Sequence, residues 1–159
     1  MIKRIKEYVL FTAEVLVLLG LMYTFTFPYK VDGESMANSY HTGDRVLISH
    51  FSAWTGRVKR GDVVVCDMDD MRVIKRVIAV PGDRLVISDG NVYLNDELLE
   101  EDYLTEDTYT GGDVDTVLGE DEYFVMGDNR DVSLDSRMKG SIASEAIKGR
   151  VFLRLFSKK

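Results

Sequence analysis

From residue 44 onward the chain keeps returning to one pattern, an alternation of apolar and polar side chains in "DRVLISHF", "DVVVCDM", "RVIKRVIAV", "DRLVISDGNVYLN" and "EYFVMGD". Successive side chains of a strand point to opposite faces, so a period of two in runs rich in Val and Ile commits this part of the chain to β structure. Within "ISDGNVYLND" the pair Asp89-Gly90 separates two such runs, a strong signal for a two-residue hairpin. Pro28 and Pro81 are the only prolines, and no internal repeat or low-complexity tract interrupts the pattern. "SEAIKGRVFLRL" predicts a short helix capped by Ser144, followed by a strand over 150–155. Short strands at near-regular spacing predict a mainly β domain of antiparallel sheets, compact and barrel- or sandwich-like.

A different pattern precedes it. In "MIKRIKEYVLFTAEVLVLLGLMYTFTFPYK", Lys3, Arg4 and Lys6 stand before a run over 8–27 in which only Glu14 is charged. About 20 residues at 1.5 Å rise match the ~30 Å hydrocarbon core of a bilayer. The run lacks an A-x-A-like cleavage site and is longer than a usual signal-peptide core, which predicts a retained transmembrane anchor. Positive charge before the span predicts residues 1–7 in the cytoplasm, a single pass at 8–27, and an extracytoplasmic domain over 28–159. Glu14 is costly in lipid, and a packing or snorkelling role is expected for it rather than a catalytic one.

The 159 residues carry a formal net charge of −7, which argues against nucleic acid as a partner, since an acidic surface repels phosphates. About a dozen Asp and Glu residues and no Lys or Arg fall within 96–122, which reads as a solvated acidic loop. "GGDVDTVLGEDE" lacks the alternating oxygen ligands and the glycine of an EF-hand loop. Cys66 is the only cysteine, so neither an internal disulfide nor a cysteine-based zinc site can form, and core packing is its expected role.

Chemistry has three candidate locations. Ser35, in "KVDGESMANSYHTGDRVLISHF", sits where Gly and Ser ordinarily make turns. Lys75 alternates with Val73 and Val77 on one strand face while Arg76 points to the other with Ile74 and Ile78, so one charge faces inward unless the strand is an edge. A lysine in apolar surroundings loses hydration of its ammonium form, its pKa falls, and the neutral amine becomes a general base. His41 or His50 with Asp44 composes a rival Ser/His/Asp arrangement, weak because short-range turn residues seldom converge. The third location is "MGDNRDVSLDSRMKG", dense in short hydrogen-bonding groups, with Asp135 and Arg137 spaced for a carboxylate–guanidinium pair.

Taken together, these stretches resemble type I signal peptidases, the membrane-anchored Ser/Lys proteases of the S26 class in their short bacterial form. Residues 33–44 resemble the family pattern G-x-S-M-x-P-T-L-x-x-G-D. Residues 75–83 match K-R-V-I-A-x-P-G-D throughout, and residues 127–137 match G-D-N-R-x-x-S-x-D-S-R throughout. "RGDVVV" resembles a fourth block, and the apolar run precedes the first. The resemblance implies a serine endopeptidase that needs no metal or nucleotide. It implies Ser35 as nucleophile, Lys75 as general base, Ser133 hydrogen-bonded to the lysine, and Asp135 with Arg137 as a supporting ion pair. The oxyanion is expected at the Ser35 N–H, with Gly33 standing where family members with a serine add a hydroxyl donor. Met36 is expected to line a shallow pocket for small side chains. The implied partners are secretory precursors with Ala-X-Ala-type sites, docked as an added strand, together with membrane lipid and the Sec translocon.

The chain departs from the pattern at Asn38-Ser39, where the family has Pro-Thr, and at Tyr40 in place of Leu. Asn38 removes a φ-locking ring, which predicts a looser or differently turned loop at Ser35. The departure motivates an alternative from another class: a signal-peptidase-like assembly factor or dedicated-substrate processing protein, for example in surface-pilus biogenesis, with weak or no general cleavage.

Overall fold

Both central residues of the Asp89-Gly90 hairpin take left-handed backbone angles, φ 51° and 80°, the geometry that matches the twist of two paired strands. They join β5 (Arg84–Ser88) to β6 (Asn91–Leu94), as the alternation predicts. The computed structural model describes residues 2–51 and 58–156. The remaining strands are β1 (Thr26–Lys30), β2 (Arg45–Ser49), β3 (Val63–Met68), β4 (Met71–Ala79), β7 (Glu97–Leu98), β8 (Val114–Val117), β9 (Glu122–Met126), β10 (Ile142–Ala143) and β11 (Ile147–Phe156).

Every pairing is antiparallel. Seven strands form one sheet in the order β1-β2-β11-β3-β4-β9-β10, and four form a second in the order β7-β6-β5-β8. The mainly β, antiparallel expectation holds, but the sheets do not close into a barrel: β1 and β10 lie at opposite ends of the larger sheet. The two sheets meet through one core. Ile78, Ala79, Phe124 and Met126 of the large sheet pack against Leu85, Ile87, Val92 and Leu94 of the small one. A register shift between Val77 and Ala79 makes this possible, because a bulge breaks the period of two and lets Ile78 and Ala79 both be buried. Two further clusters cover the large sheet. One holds Val64, Cys66, Val77 and Val125, and the other holds Val31, Met36, Val46, Val65 and Ile74. Cys66 takes its expected place in the core, where burial pushes its thiol up to about 12.

Strand β4 lies between β3 and β9, which rules out the edge-strand reading of the Lys75–Arg76 pair. The predicted helix at Ser144 is only a 3-10 turn over Ser144–Ala146 without a side-chain cap. Strand β11 begins at Ile147 rather than at residue 150, because pairing of Ile147 and Gly149 with β3 extends it backwards. The N-terminal run is helical as α1 (Ile2–Phe25), with Tyr8, Val9, Leu10, Phe11 and Leu16 exposed. The chain leaves the helix directly into β1, before Pro28. Among the described residues no helix is long and apolar enough to cross a membrane, so the fold does not show the spanning anchor expected at 8–27.

Candidate active site

Ser35 sits on a loop closed at its base by two backbone hydrogen bonds, Val31 N–H to Asp44 O and Gly43 N–H to Val31 O, both 2.9 Å. Gly33 takes φ +90°, a conformation that glycine adopts at no steric cost. The Met36 carbonyl then accepts the N–H groups of Ser39 at 2.8 Å and Tyr40 at 2.6 Å, winding the chain just beyond the serine. Met36 itself is 0% exposed and its Sδ accepts the Asp128 N–H at 3.4 Å. Met36, expected to line a substrate pocket, thus lies beneath the serine loop in the structure. The turn directs its side chain into the core, where it supports the serine loop from beneath.

Lys75 reaches the loop from the middle of β4. Its Nζ donates to Ser35 Oγ at 2.7 Å, and the residue is only 2% exposed. Burial lowers its pKa, opposed chiefly by the Asp135 carboxylate. In the neutral form the same contact runs the other way, with Oγ–H donating to the amine, which is the geometry a general base requires. A cavity of about 220 Å³ opens beside the pair, with apolar walls from Met71, Val73, Val132 and Leu134. The Gly33 N–H is taken by Asp32 Oδ1 at 3.1 Å, whereas among the described residues no acceptor takes the Ser35 N–H. The expected oxyanion donor is thus free at Ser35 and engaged at Gly33.

The loop after β9 presses against this pair. A Cβ at Gly127 would meet Ser133 Oγ at 2.3 Å and the Ser35 carbonyl oxygen at 2.4 Å, so only a glycine lets the two serine segments approach this closely. Ser133 Oγ is buried within reach of the Asp135 carboxylate, whose pKa it helps to lower, and makes no closer hydrogen bond among the described residues. The bond to Lys75 that the resemblance implies is therefore not formed, because the lysine's Nζ is directed at Ser35. Asp135 caps the short helix α2 (Ser136–Lys139) and forms the expected ion pair with Arg137, at 2.9 Å from both Nε and Nη2. Burial alone would raise the Asp135 carboxyl, but hydrogen bonds from Arg137 and from the Gly127 N–H hold it below the usual carboxylate range.

Sequence reasoning missed the residues that tie the two loops together. The Asn129 N–H donates to the Ser35 carbonyl at 2.9 Å, and Asn129 Nδ2 donates to the Glu34 carbonyl at 3.1 Å. Asp128 takes a two-pronged ion pair from Arg76, at 2.8 Å and 2.6 Å. Asn38 Nδ2 donates to the Asp128 carbonyl at 3.1 Å and Ser39 Oγ to its carboxylate at 2.5 Å. Two of the three positions that depart from the family pattern, Asn38 and Ser39, thus tie the Ser35 loop to Asp128, and the predicted loosening is offset by a side-chain tether. The signal was the triplet Gly127-Asp128-Asn129 directly after an apolar strand, but nothing local says which loop it grips.

The histidines take structural places. The His41 backbone N–H donates to Asp44 Oδ2 at 3.1 Å, and the His50 ring packs edge-on against Phe27 with centroids 5.0 Å apart. Among the described residues no histidine hydrogen-bonds Ser35, so the rival Ser/His/Asp arrangement is not formed. No group of three or more His, Cys, Asp or Glu side chains among the described residues is placed to hold a metal ion.

Comparison with known proteins gives consistent matches. Residues 4–156 match the family described as "Signal peptidase, peptidase S26". Signal peptidase I P of Bacillus subtilis subsp. natto is 38% identical over 134 aligned positions, covering 77% of this chain and 72% of that protein. Signal peptidase IB of Staphylococcus aureus strain COL is 32% identical, covering 97% of this chain and 91% of that protein. A crystal structure of a signal peptidase I from Enterococcus faecalis V583 superposes with a TM-score of 0.53 at 27% identity, covering 60% of this chain and 97% of that one.

Proposed function

The chain belongs to the signal peptidase family of S26 peptidases and is a serine peptidase hydrolase, and from that premise we propose that it removes N-terminal signal peptides from secretory precursors with a Ser35/Lys75 dyad. The observation that carries the reading is the 2.7 Å contact between Ser35 Oγ and a buried Lys75 Nζ. Neutral Lys75 takes the Ser35 proton as Oγ attacks the scissile carbonyl. The Ser35 N–H receives the oxyanion of the tetrahedral intermediate. The lysine then returns its proton to the leaving amine, and the neutral amine activates the water that cleaves the acyl-enzyme. The cavity beside the dyad, walled in part by Met71, Val73, Val132 and Leu134, suits the short side chains of an Ala-X-Ala site on a substrate docked as an added strand. Asp135 and Arg137 support the loop that faces Ser35, and Ser133 places a buried hydroxyl within that loop.

Cleavage of an Ala-X-Ala precursor by the detergent-solubilised protein, beside its Ser35→Ala variant, tests this. Product is expected from the parent, with at least a ~10³-fold loss in the variant. Binding of the peptide without cleavage by either protein would favour the assembly factor or dedicated-substrate reading.

We propose in addition that α1 anchors the protein in the cell membrane, N-terminus inside and β domain outside. Support comes from the exposed apolar side chains along the helix and from Lys3, Arg4 and Lys6 before them. The expected outcome is retention in the membrane pellet after alkaline carbonate extraction, with the β domain digested by protease added to intact spheroplasts. Release into the supernatant would rule out the anchor.

A further inference from the structure

The acidic stretch over 96–122 looks like a solvated surface loop in sequence, yet Glu101, Tyr103 and Thr110 turn inward. The Glu101 carboxylate receives Arg130 Nη2 at 2.5 Å and Nη1 at 3.2 Å, and the Arg130 side chain is 0% exposed. Arg130 Nη1 also donates to Thr110 Oγ1, and its Nε donates to the Gly127 carbonyl at 3.1 Å. Gly127 is the residue in contact with both Ser35 and Ser133. Tyr103 OH donates to Glu101 at 2.5 Å, and the Arg76 guanidinium lies 3.9 Å above the Tyr103 ring. One contact farther on, Gly111 O accepts Arg137 Nη1 at 3.2 Å. The stretch therefore touches the reacting pair's surroundings from behind at Arg130, Arg76 and Arg137.

We infer that residues 101–111 form a strut for the catalytic loop, and that Glu101 is a positioning residue that fixes Gly127, and through it Ser35, by way of Arg130. A guanidinium buried this fully needs a counter-charge. Glu101 supplies it, and its two oxygens set the plane of the fork that aims Nε at Gly127. Other acidic side chains of the stretch, such as Glu106 and Asp107, are exposed and take no part in this arrangement. The inference rests on the peptidase reading above and deepens it by adding a residue that acts on the dyad without touching substrate.

The test compares four full-length proteins in detergent: the parent, Glu101→Asp, the pair Glu101→Gln/Arg130→Met, and the surface pair Glu106→Gln/Asp107→Asn. The first pair removes both buried charges together, so that no uncompensated guanidinium is left and folding is retained. Two readouts are taken, kcat and KM on an Ala-X-Ala peptide, and hydrogen exchange at the Asn129 amide that bonds the Ser35 carbonyl. In Glu101→Gln/Arg130→Met, kcat is expected to fall about 10- to 100-fold with KM within about twofold, and Asn129 exchange to speed up. Glu101→Asp is expected to recover part of the kcat, and the surface pair to match the parent in both readouts. Parental kcat and exchange in the double variant would overturn the inference. So would a rise in KM in the surface pair with kcat intact in the Glu101 variants, the signature of a docking surface. A parent that cleaves nothing refutes the peptidase reading instead, and the exchange result still decides the strut.

Discussion

Lys75→Met is expected to lose at least about 10³-fold in kcat while the folded protein becomes more heat-resistant. Both effects have one cause. Burial lowers the lysine's pKa, so near neutrality the unfolded chain binds a proton more readily than the folded one. Between the folded and unfolded pKa values stability rises with pH, and below the folded pKa the buried charge is a constant penalty. A methionine of similar length carries no such penalty. The gain in melting temperature over the parent is therefore expected to be largest at low pH and to shrink as pH approaches the range of a free lysine. Cleavage by the parent follows the same group: the rate rises as pH passes upward through the folded Lys75 pKa and then levels off. Thermal melts of both proteins across pH, with the parent's pH–rate profile, check this together. A variant that melts lower at every pH, or a parental rate that falls with rising pH, contradicts a neutral buried lysine as the base.

Gly127→Ala is expected to lower kcat about 100-fold or more and to cost roughly 1–3 kcal/mol in stability. The methyl would come within 2.4 Å of the Ser35 carbonyl oxygen and 2.6 Å of Ser133 Cβ. A backbone atom and the first atom of a short side chain cannot rotate away, so one loop must move. Among the described residues the Ser35 loop is hydrogen-bonded to the other through Asn129, Asn38, Ser39 and Met36, and its displacement lengthens the contact between Lys75 and Ser35. Denaturant unfolding and steady-state kinetics on a cleavable peptide measure the two effects separately. Parental kcat in Gly127→Ala would mean that the close approach of these segments is not needed for turnover.

Much of the architecture was legible because strand alternation is a local property. The runs at 45–49, 63–68, 84–88 and 91–94 appear nearly where the period of two places them. The strand at Ile147 does not, because its first residues are ordered by pairing with β3 and not by their own pattern. The site divides in the same way. The Asp135–Arg137 pair was readable from two residues of one turn. The burial of Met36 was not readable, because whether a turn residue points to solvent or core depends on what lies below it. Asn38 was read as a loosening substitution because its partner, the Asp128 carbonyl, is distant in the chain and adjacent only after β4 and β9 pair.

Residue order by itself determined a β domain of antiparallel strands, the kinship of three separated motifs, and Ser35 and Lys75 as the candidates for a nucleophile and its base. Only the tertiary structure decided that Lys75 lies on a central strand, stripped of water and 2.7 Å from Ser35 Oγ, and that Glu101 of an acidic stretch serves a buried arginine. The physical reason is that strand periodicity is encoded over a few neighbouring residues, whereas a depressed pKa and a braced loop depend on burial, which arises when distant segments exclude the same water.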